Sequence, residues 1–208
     1  MRGLTWLMAT LLVIVLLLMS FFLLVRSPEF YRLLMKANSV YETIDLSQEQ
    51  VNEAADVIAG YMIGSEPHLL IEHASDSLFK AQEVFHMYEV RRIFATMRTG
   101  LIFAGLLLFG LMVLLKNERW LVLRRQFYVM LGLAAVLGGA SFFFDQAFLW
   151  MHQTLFNNLF WAFRADHYLI RLLPTGFFLG FLIATGILTL FVSIILFIAS
   201  QKHRLLEK

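Results

Sequence analysis

The chain has 208 residues, 60% of them hydrophobic and 15% charged, and its mean hydropathy is +0.73. That is more apolar surface than a soluble domain of this length can bury, so a soluble enzyme is excluded. The balance of 17 basic against 15 acidic residues, with no basic cluster interleaved with stacking aromatics, argues against nucleic-acid binding. With no cysteine there is no disulfide framework, thiolate nucleophile or Cys-type zinc site.

In chain order, the first feature is an uncharged run over 3–25, long enough for a hydrocarbon core about 30 Å thick. It exceeds a signal-peptide apolar region and ends at Val25-Arg26-Ser27-Pro28 without a small-x-small cleavage site, so it reads as an anchor. The segment 26–98 that follows is too long for a simple connection and should carry its own structure. Ser47 followed by Gln50 reads as a capping box, and Val51, Ala54, Ala55 and Ile58 form an apolar stripe at helical spacing. Gly60, Gly64 and Pro67 are expected to break that helix, and 68–73 to run extended. A second helix is expected from near Asp76-Ser77 through Glu83, His86, Val90 and Ile93 into an uncharged run at 99–115.

A basic loop, 116–125, leads to a third uncharged run at 126–144, drawn as a helix over 126–149. An aromatic-rich stretch follows within 150–171, where Trp and Tyr rings favour the membrane interface. The last run, 172–201, ends in a basic tail at 202–208. The fold class is therefore an all-α integral membrane protein with four transmembrane helices and a partly helical extracytoplasmic segment between the first two. Gly100, Gly105, Gly110, Gly132, Gly138 and Gly139 are expected to allow close packing of the second and third spans.

Orientation follows from the distribution of Lys and Arg. With both termini cytoplasmic, the inner side carries eight basic against two acidic residues in very short segments, and the outer side nine against thirteen. The segments 26–98 and 145–171 then lie outside.

Glu83, His86 and Glu89 are spaced three apart, so they share one helix face. A carboxylate beside an imidazole orients the ring and suits a general base, although the same pattern also fits a solvated interfacial face. Asp145 and His152, seven apart, share a face if the third helix continues. Behind His152 come Asn157, Asn158 and Trp161, possible orienters or oxyanion donors. Glu83 and His86 also form a Glu-x-x-His pair, but no second pair accompanies it, and no metal or cofactor is expected. His68, His73 and His167 read as solvent-exposed, and His203 as part of the inner basic cluster.

Two motifs carry a resemblance: Leu78-Phe79-x-x-x-Glu83-x-x-His86-Met87-x-Glu89-Val90-Arg91, and His152-x-x-Leu155-Phe156-x-Asn158-x-x-Trp161 followed by Leu169-Ile170-x-x-Leu173-Pro174-x-x-Phe177-Phe178. In this order, with the anchor, spans and basic loop, the chain resembles the lipoprotein intramolecular transacylase (Lit) family of Gram-positive bacteria over nearly its whole length. It departs from the family pattern in having Glu89 where Asp is favoured, and Ala162-Phe163-Arg164-Ala165-Asp166 where an Asp-Pro follows the tryptophan. Asp166 is then the acidic candidate in that stretch.

The resemblance implies a plasma-membrane acyltransferase that moves an acyl chain from the glyceryl sn-2 oxygen of a diacylglyceryl lipoprotein in the outer leaflet. The acceptor is the lipoprotein's own α-amino group, and the product is an N-acylated lyso-lipoprotein. On that reading His86 and His152 are the catalytic acid and base, with His86 assigned as base. Glu83, Glu89, Asn158 and Asp145 support them, and Arg92, Trp161 and Arg171 help to bind substrate. The competing class is a non-enzymatic four-helix sensor or assembly partner that binds another protein through its outer segment.

Overall fold

The structure, a computed structural model, describes residues 2–73 and 76–206, with side chains described over 3–71 and 77–201. It is an all-helical protein with four helices long and apolar enough to cross a membrane: Gly3–Val25, Ala81–Leu114, Arg119–Ser141 and Thr175–Gln201. The chain divides into two compact units.

The first unit comprises Met1–Phe21, Met97–Phe142 and Ile183–Lys208. Here α1 (Arg2–Val25), the later part of α5 (Ala81–Leu114) and α6 (Arg119–Ser141) meet. Met8, Ala9, Leu12, Val15, Leu108 and Val122 are its buried apolar centre. α9 (Thr175–Leu206) joins them through the fully buried Gln126, whose Nε2 donates to the Ser193 carbonyl at 2.9 Å. An interhelical hydrogen bond is an effective tether where the surroundings offer no other partner. The glycines expected to bring these helices together do not do so. A Cβ at Gly100, Gly105, Gly110, Gly132, Gly138 or Gly139 would meet nothing within 4 Å.

The second unit comprises Phe22–Thr96 and Phe143–Leu182. Ser27 caps α2 (Pro28–Ala37) by accepting from the Phe30 N–H, and α3 (Val40–Thr43) follows. α4 (Gln48–Ile63) starts at the expected capping box, with Ser47 and Gln50 each accepting the other's backbone N–H. Val51, Ala54, Ala55 and Ile58 are all buried, as the stripe requires.

Gly60 does not break α4. It lies inside the helix, and its carbonyl accepts from the backbone of Gly64, Ser65 and Glu66 as the chain doubles back. The stop is Gly64, at φ 88°, a conformation that glycine adopts without the Cβ clash. Close helix approach uses other glycines: a Cβ on Gly176 would collide with Asn38 Oδ1, and one on Gly180 would sit 2.6 Å from Leu34 Cδ2. Phe30 and Tyr31 pack there against Phe177 and Phe181.

A two-residue antiparallel pair, β1 (Glu72–His73) with β2 (Asp76–Ser77), occupies the place where the second outer helix was expected to begin. That helix, α5, starts at Ala81 instead. The third apolar helix ends at Ser141, and α7 (Phe144–Leu155) is a separate element. Two consecutive glycines weaken the helix there, and Ser141 Oγ bonds the Gly138 carbonyl at 2.7 Å, competing with the helical ladder. The described chain is completed by α8 (Tyr168–Leu172).

Candidate active site

The start of α5 is made by its own third residue. Glu83 Oε2 accepts the Lys80 N–H at 2.7 Å, which satisfies an otherwise unpaired donor at the helix terminus. Its Oε1 accepts the Leu169 N–H at 2.7 Å, in the first turn of α8. One fully buried carboxylate thus caps two helices from distant parts of the chain. His167, expected to be exposed, is buried instead, with Nδ1 4.0 Å from Glu83 Oε2. His68 is exposed, as expected, whereas the side chains of His73 and His203 lie outside the described residues.

One turn along the same face of α5 stands His86, 5% exposed, and opposite it His152, 9% exposed, in the last turn of α7. The ring centroids are 5.8 Å apart and the planes 31° from parallel. Phe156 packs on both imidazoles, at 4.8 Å from His86 and 5.6 Å from His152. Phe163 flanks His86, while Phe148 and Trp161 flank His152.

His152 Nδ1 lies 2.8 Å from the Phe148 carbonyl oxygen. A carbonyl only accepts, so Nδ1 carries the hydrogen and the lone pair of the neutral ring is on Nε2. Burial lowers the pKa of His152 from its ordinary 6.5, partly offset by the hydrogen bond to Phe148. The ring is held neutral, oriented, and ready to accept a proton at Nε2.

The loop after α7 is tied down at several points. Gln82 Nε2 donates to the Phe160 carbonyl at 3.1 Å, and Phe85 meets Phe160 edge-on at 5.0 Å. Lys80 Nζ is 2.9 Å from Asp166 Oδ2, and Asp166 also accepts from Arg164. Asn158 is oriented at both ends of its amide: Oδ1 accepts the Phe160 N–H at 2.9 Å, and Nδ2 donates to Glu89 Oε1 at 2.8 Å.

Four buried polar atoms here have no hydrogen-bond partner: His86 Nδ1, Glu89 Oε2, Trp161 Nε1 and, beside Glu83, His167 Nδ1. Buried polar groups are nearly always paired, so the unpaired atoms beside the two imidazoles are groups that a ligand could engage. The structure thus brings together His86, His152, Glu89, Asn158 and Trp161, with Glu83 at the edge.

The other expected site residues lie elsewhere. Asp145 is exposed in the first turn of α7, two helical turns or about 10 Å along the axis from His152, out of hydrogen-bond reach. Arg171 is engaged with Asp45 at 2.7 Å and stacks over Tyr168, tying α8 to the start of the outer helical segment. Arg92 is exposed, over the Tyr88 ring. Among the described residues no group of three His, Asp or Glu side chains is arranged to hold a metal ion. Asp166, the acidic candidate after the tryptophan, meets Lys80 and Arg164 rather than a histidine, whereas Phe163, Gln82 and Lys80 complete the site without having been singled out in the sequence. Only the short distance of Phe163 from Trp161 along the chain hinted at them.

The model of the family described as lipoprotein intramolecular transacylase Lit matches residues 6–178. Among solved structures, the chain is similar to the membrane integral lipoprotein intramolecular transacylase Lit from Bacillus cereus, with a TM-score of 0.79 and 18% identity over 97% of this chain and 94% of that one. Two further structures of that protein, each with one histidine replaced, are also similar. The arginine variant has a TM-score of 0.78 at 17% identity over 100% and 94% of the two chains. The alanine variant has a TM-score of 0.76 at 17% identity over 97% and 92%. At these identities the likeness shows a shared fold. No curated protein matches the chain.

Proposed function

Because the chain belongs to the lipoprotein intramolecular transacylase family, and is a membrane-integral acyltransferase, we propose that it transfers the sn-2 acyl chain of a diacylglyceryl-cysteine to that cysteine's own α-amino group. Family membership also sets aside the non-catalytic sensor reading. The observation that carries the proposal is the facing pair His86 and His152, caged by aromatic rings, with an unpartnered indole N–H and an unpartnered carboxylate oxygen beside it.

The substrate's α-amine has an ordinary pKa of about 7.7–8.0 and must shed one proton to become a nucleophile. As the amine nitrogen bonds to the sn-2 ester carbon, His152 Nε2 takes a second proton from it. Its fixed tautomer favours His152 over His86 as the base, which reverses the assignment made from sequence. The tetrahedral oxyanion accepts from Trp161 Nε1, where no protein acceptor competes. The bond to the sn-2 oxygen then breaks, and the histidinium returns its proton to that oxygen, with His86 facing it as relay. The products are an amide and a glyceryl hydroxyl.

Amine and ester belong to one molecule, so holding them in attack geometry contributes an effective molarity on the order of 10⁵ M or more. Glu83 and Asn158 act by positioning: the first fixes the start of α5, the second the loop bearing Trp161. The basic inner loop and tail favour cytoplasmic termini, with the histidines on the outer face where the substrate is anchored.

The test is expression in a bacterial host unable to N-acylate its lipoproteins, followed by tandem mass spectrometry of one N-terminal lipopeptide. One acyl chain moves from glycerol to nitrogen at unchanged total mass with the wild type, and does not with His152→Ala. An unmodified diacylglyceryl amine beside well-expressed wild-type protein overturns the reading.

A further inference from the structure

Glu89 has two oxygens in unequal situations. Oε1 accepts from Asn158 Nδ2 at 2.8 Å, and Oε2 is buried without a partner. Desolvating a carboxylate oxygen without giving it a donor is unfavourable. Asn158 is itself held by the Phe160 N–H, so the carboxylate cannot easily swing out to find solvent. Three residues earlier on the same helix face stands His86, one of the two facing imidazoles, and the Asn158 that grips Oε1 lies six residues beyond His152.

The vacant position on Oε2 therefore asks for a hydrogen-bond donor, and it asks within reach of the two rings. The lipid end of a diacylglyceryl-cysteine offers ester carbonyls, ester oxygens and a thioether, all acceptors. Its strong donor is the α-ammonium, which carries three N–H bonds and a charge opposite to the carboxylate.

We propose that Glu89 Oε2 is the docking anion for the substrate's α-ammonium, holding the nucleophilic nitrogen between His86 and His152 before the acyl transfer begins. This rests on the transacylase reading above and assigns to Glu89 a contact with substrate in place of an orienting role toward His86. One N–H of the ammonium donates to Oε2 and stays there throughout. A second proton leaves to solvent or a histidine, the lone pair so freed attacks the ester carbon, and the third proton passes through the histidine pair to the sn-2 oxygen. The remaining N–H is that of the product amide, still donating to Oε2. An amide is a weaker donor than an ammonium, so the contact loosens once the reaction is complete and product release is favoured.

The test compares wild type with Glu89→Gln, which keeps the shape and can still accept from Asn158 but turns a donor toward the ammonium. A synthetic diacylglyceryl-cysteinyl peptide is converted in nanodiscs between pH 6.5 and 9 and followed by mass spectrometry. At the acid end the variant's KM should rise about tenfold to a hundredfold, the range for one hydrogen bond to a charged group, with kcat nearly unchanged. The gap should narrow as pH rises through about 7.7–8.0, where the free amine loses its charge. A fall in kcat at every pH with KM unmoved overturns the dock and returns Glu89 to a positioning role.

A second measurement is independent of turnover. Binding of a dialkyl ether analogue with a free amine is compared with that of its N-acetylated form. Wild type should prefer the free amine by a similar factor at pH 6.5, and Glu89→Gln should not. Equal binding of both analogues to a wild-type protein that converts the peptide overturns the dock alone. A wild-type protein that leaves the peptide unconverted overturns the transacylase reading and the dock with it.

Discussion

Two regions of α5, under two turns apart, use a glutamate in opposite ways. At the helix start, Glu83 is fully buried and spends one oxygen on the Lys80 N–H and the other on the Leu169 N–H. Near the two facing imidazoles, Glu89 spends one oxygen on Asn158 and leaves the other without a partner. The first arrangement lowers the energy of the folded state. The second gives up part of that gain and keeps an acceptor for a ligand, a trade-off common at functional sites. Residue type and helical spacing are the same for both, and only the partners distinguish them.

The largest effect expected on the reaction-centre side is that of the histidines. His152→Ala and His86→Ala should each lower turnover about 10²–10⁴-fold, the usual contribution of acid–base groups, with near-native expression and thermal midpoint. Trp161→Phe keeps a ring in place and removes only the N–H, so turnover should fall about 10²-fold with little change in KM. Rates of purified variants on the lipopeptide check both.

The cap side should respond in stability. Glu83→Ala strands two backbone donors and should cost about 2–4 kcal/mol in denaturant unfolding, whereas Glu89→Gln exchanges one unpaired buried polar atom for another and should cost about zero. If Glu83→Ala leaves stability intact and removes activity, the contrast between the two glutamates breaks.

The pH dependence of kcat is a finer test. Burial holds the His152 pKa below 6.5. Its neutral form therefore persists below pH 6.5, and the acid limb that it sets for bound substrate should have a midpoint under that value. The substrate ammonium, which must shed a proton before it attacks, sets a separate limb at higher pH, so a profile that does not steepen further below 6.5 would mean that another group is the base.

The smallest effect belongs to the exposed pair of Lys80 and Asp166. Hydrogen bonding to Lys80, before any other cause, takes Asp166 from 3.8 down to about 2. A depressed carboxylate contributes stability that is present above 3.8 and lost as pH falls through about 2. Lys80→Ala should therefore leave the thermal midpoint nearly unchanged at neutral pH, since exposed ion pairs contribute little.

Much of the fold was legible because hydrophobic runs and caps are local. Four apolar helices and the Ser47–Gln50 box are present as the residues imply, although the third helix runs Arg119–Ser141 and takes in part of the expected basic loop. The break before Phe144 was not legible, because Gly138, Gly139 and Ser141 are each tolerated inside a helix and only their sum ends it. Gly100, Gly105, Gly110, Gly132, Gly138 and Gly139 suggested close approach, yet open space surrounds them, and Gly176 against Asn38 and Gly180 against Leu34 make the tight contacts.

In the site, three-residue spacing correctly grouped Glu83, His86 and Glu89 on one face but carried no information on who meets whom. The bonds that separate their roles join residues 69 to 86 positions apart, such as Asn158 with Glu89 and Leu169 with Glu83. The burial of His167 has the same origin, since a lone histidine in a polar segment shows nothing of the carboxylate waiting for it.

The grip on His152 comes from the main-chain oxygen of residue 148, and every amino acid supplies that atom. A survey of point substitutions would pass over position 148, or register only the loss of its ring, and never detect that it fixes the imidazole tautomer. The orientation of this imidazole is thereby insulated from single-codon change. An insertion or deletion within α7, which would shift the register between residues 148 and 152, is the kind of genetic lesion able to undo it.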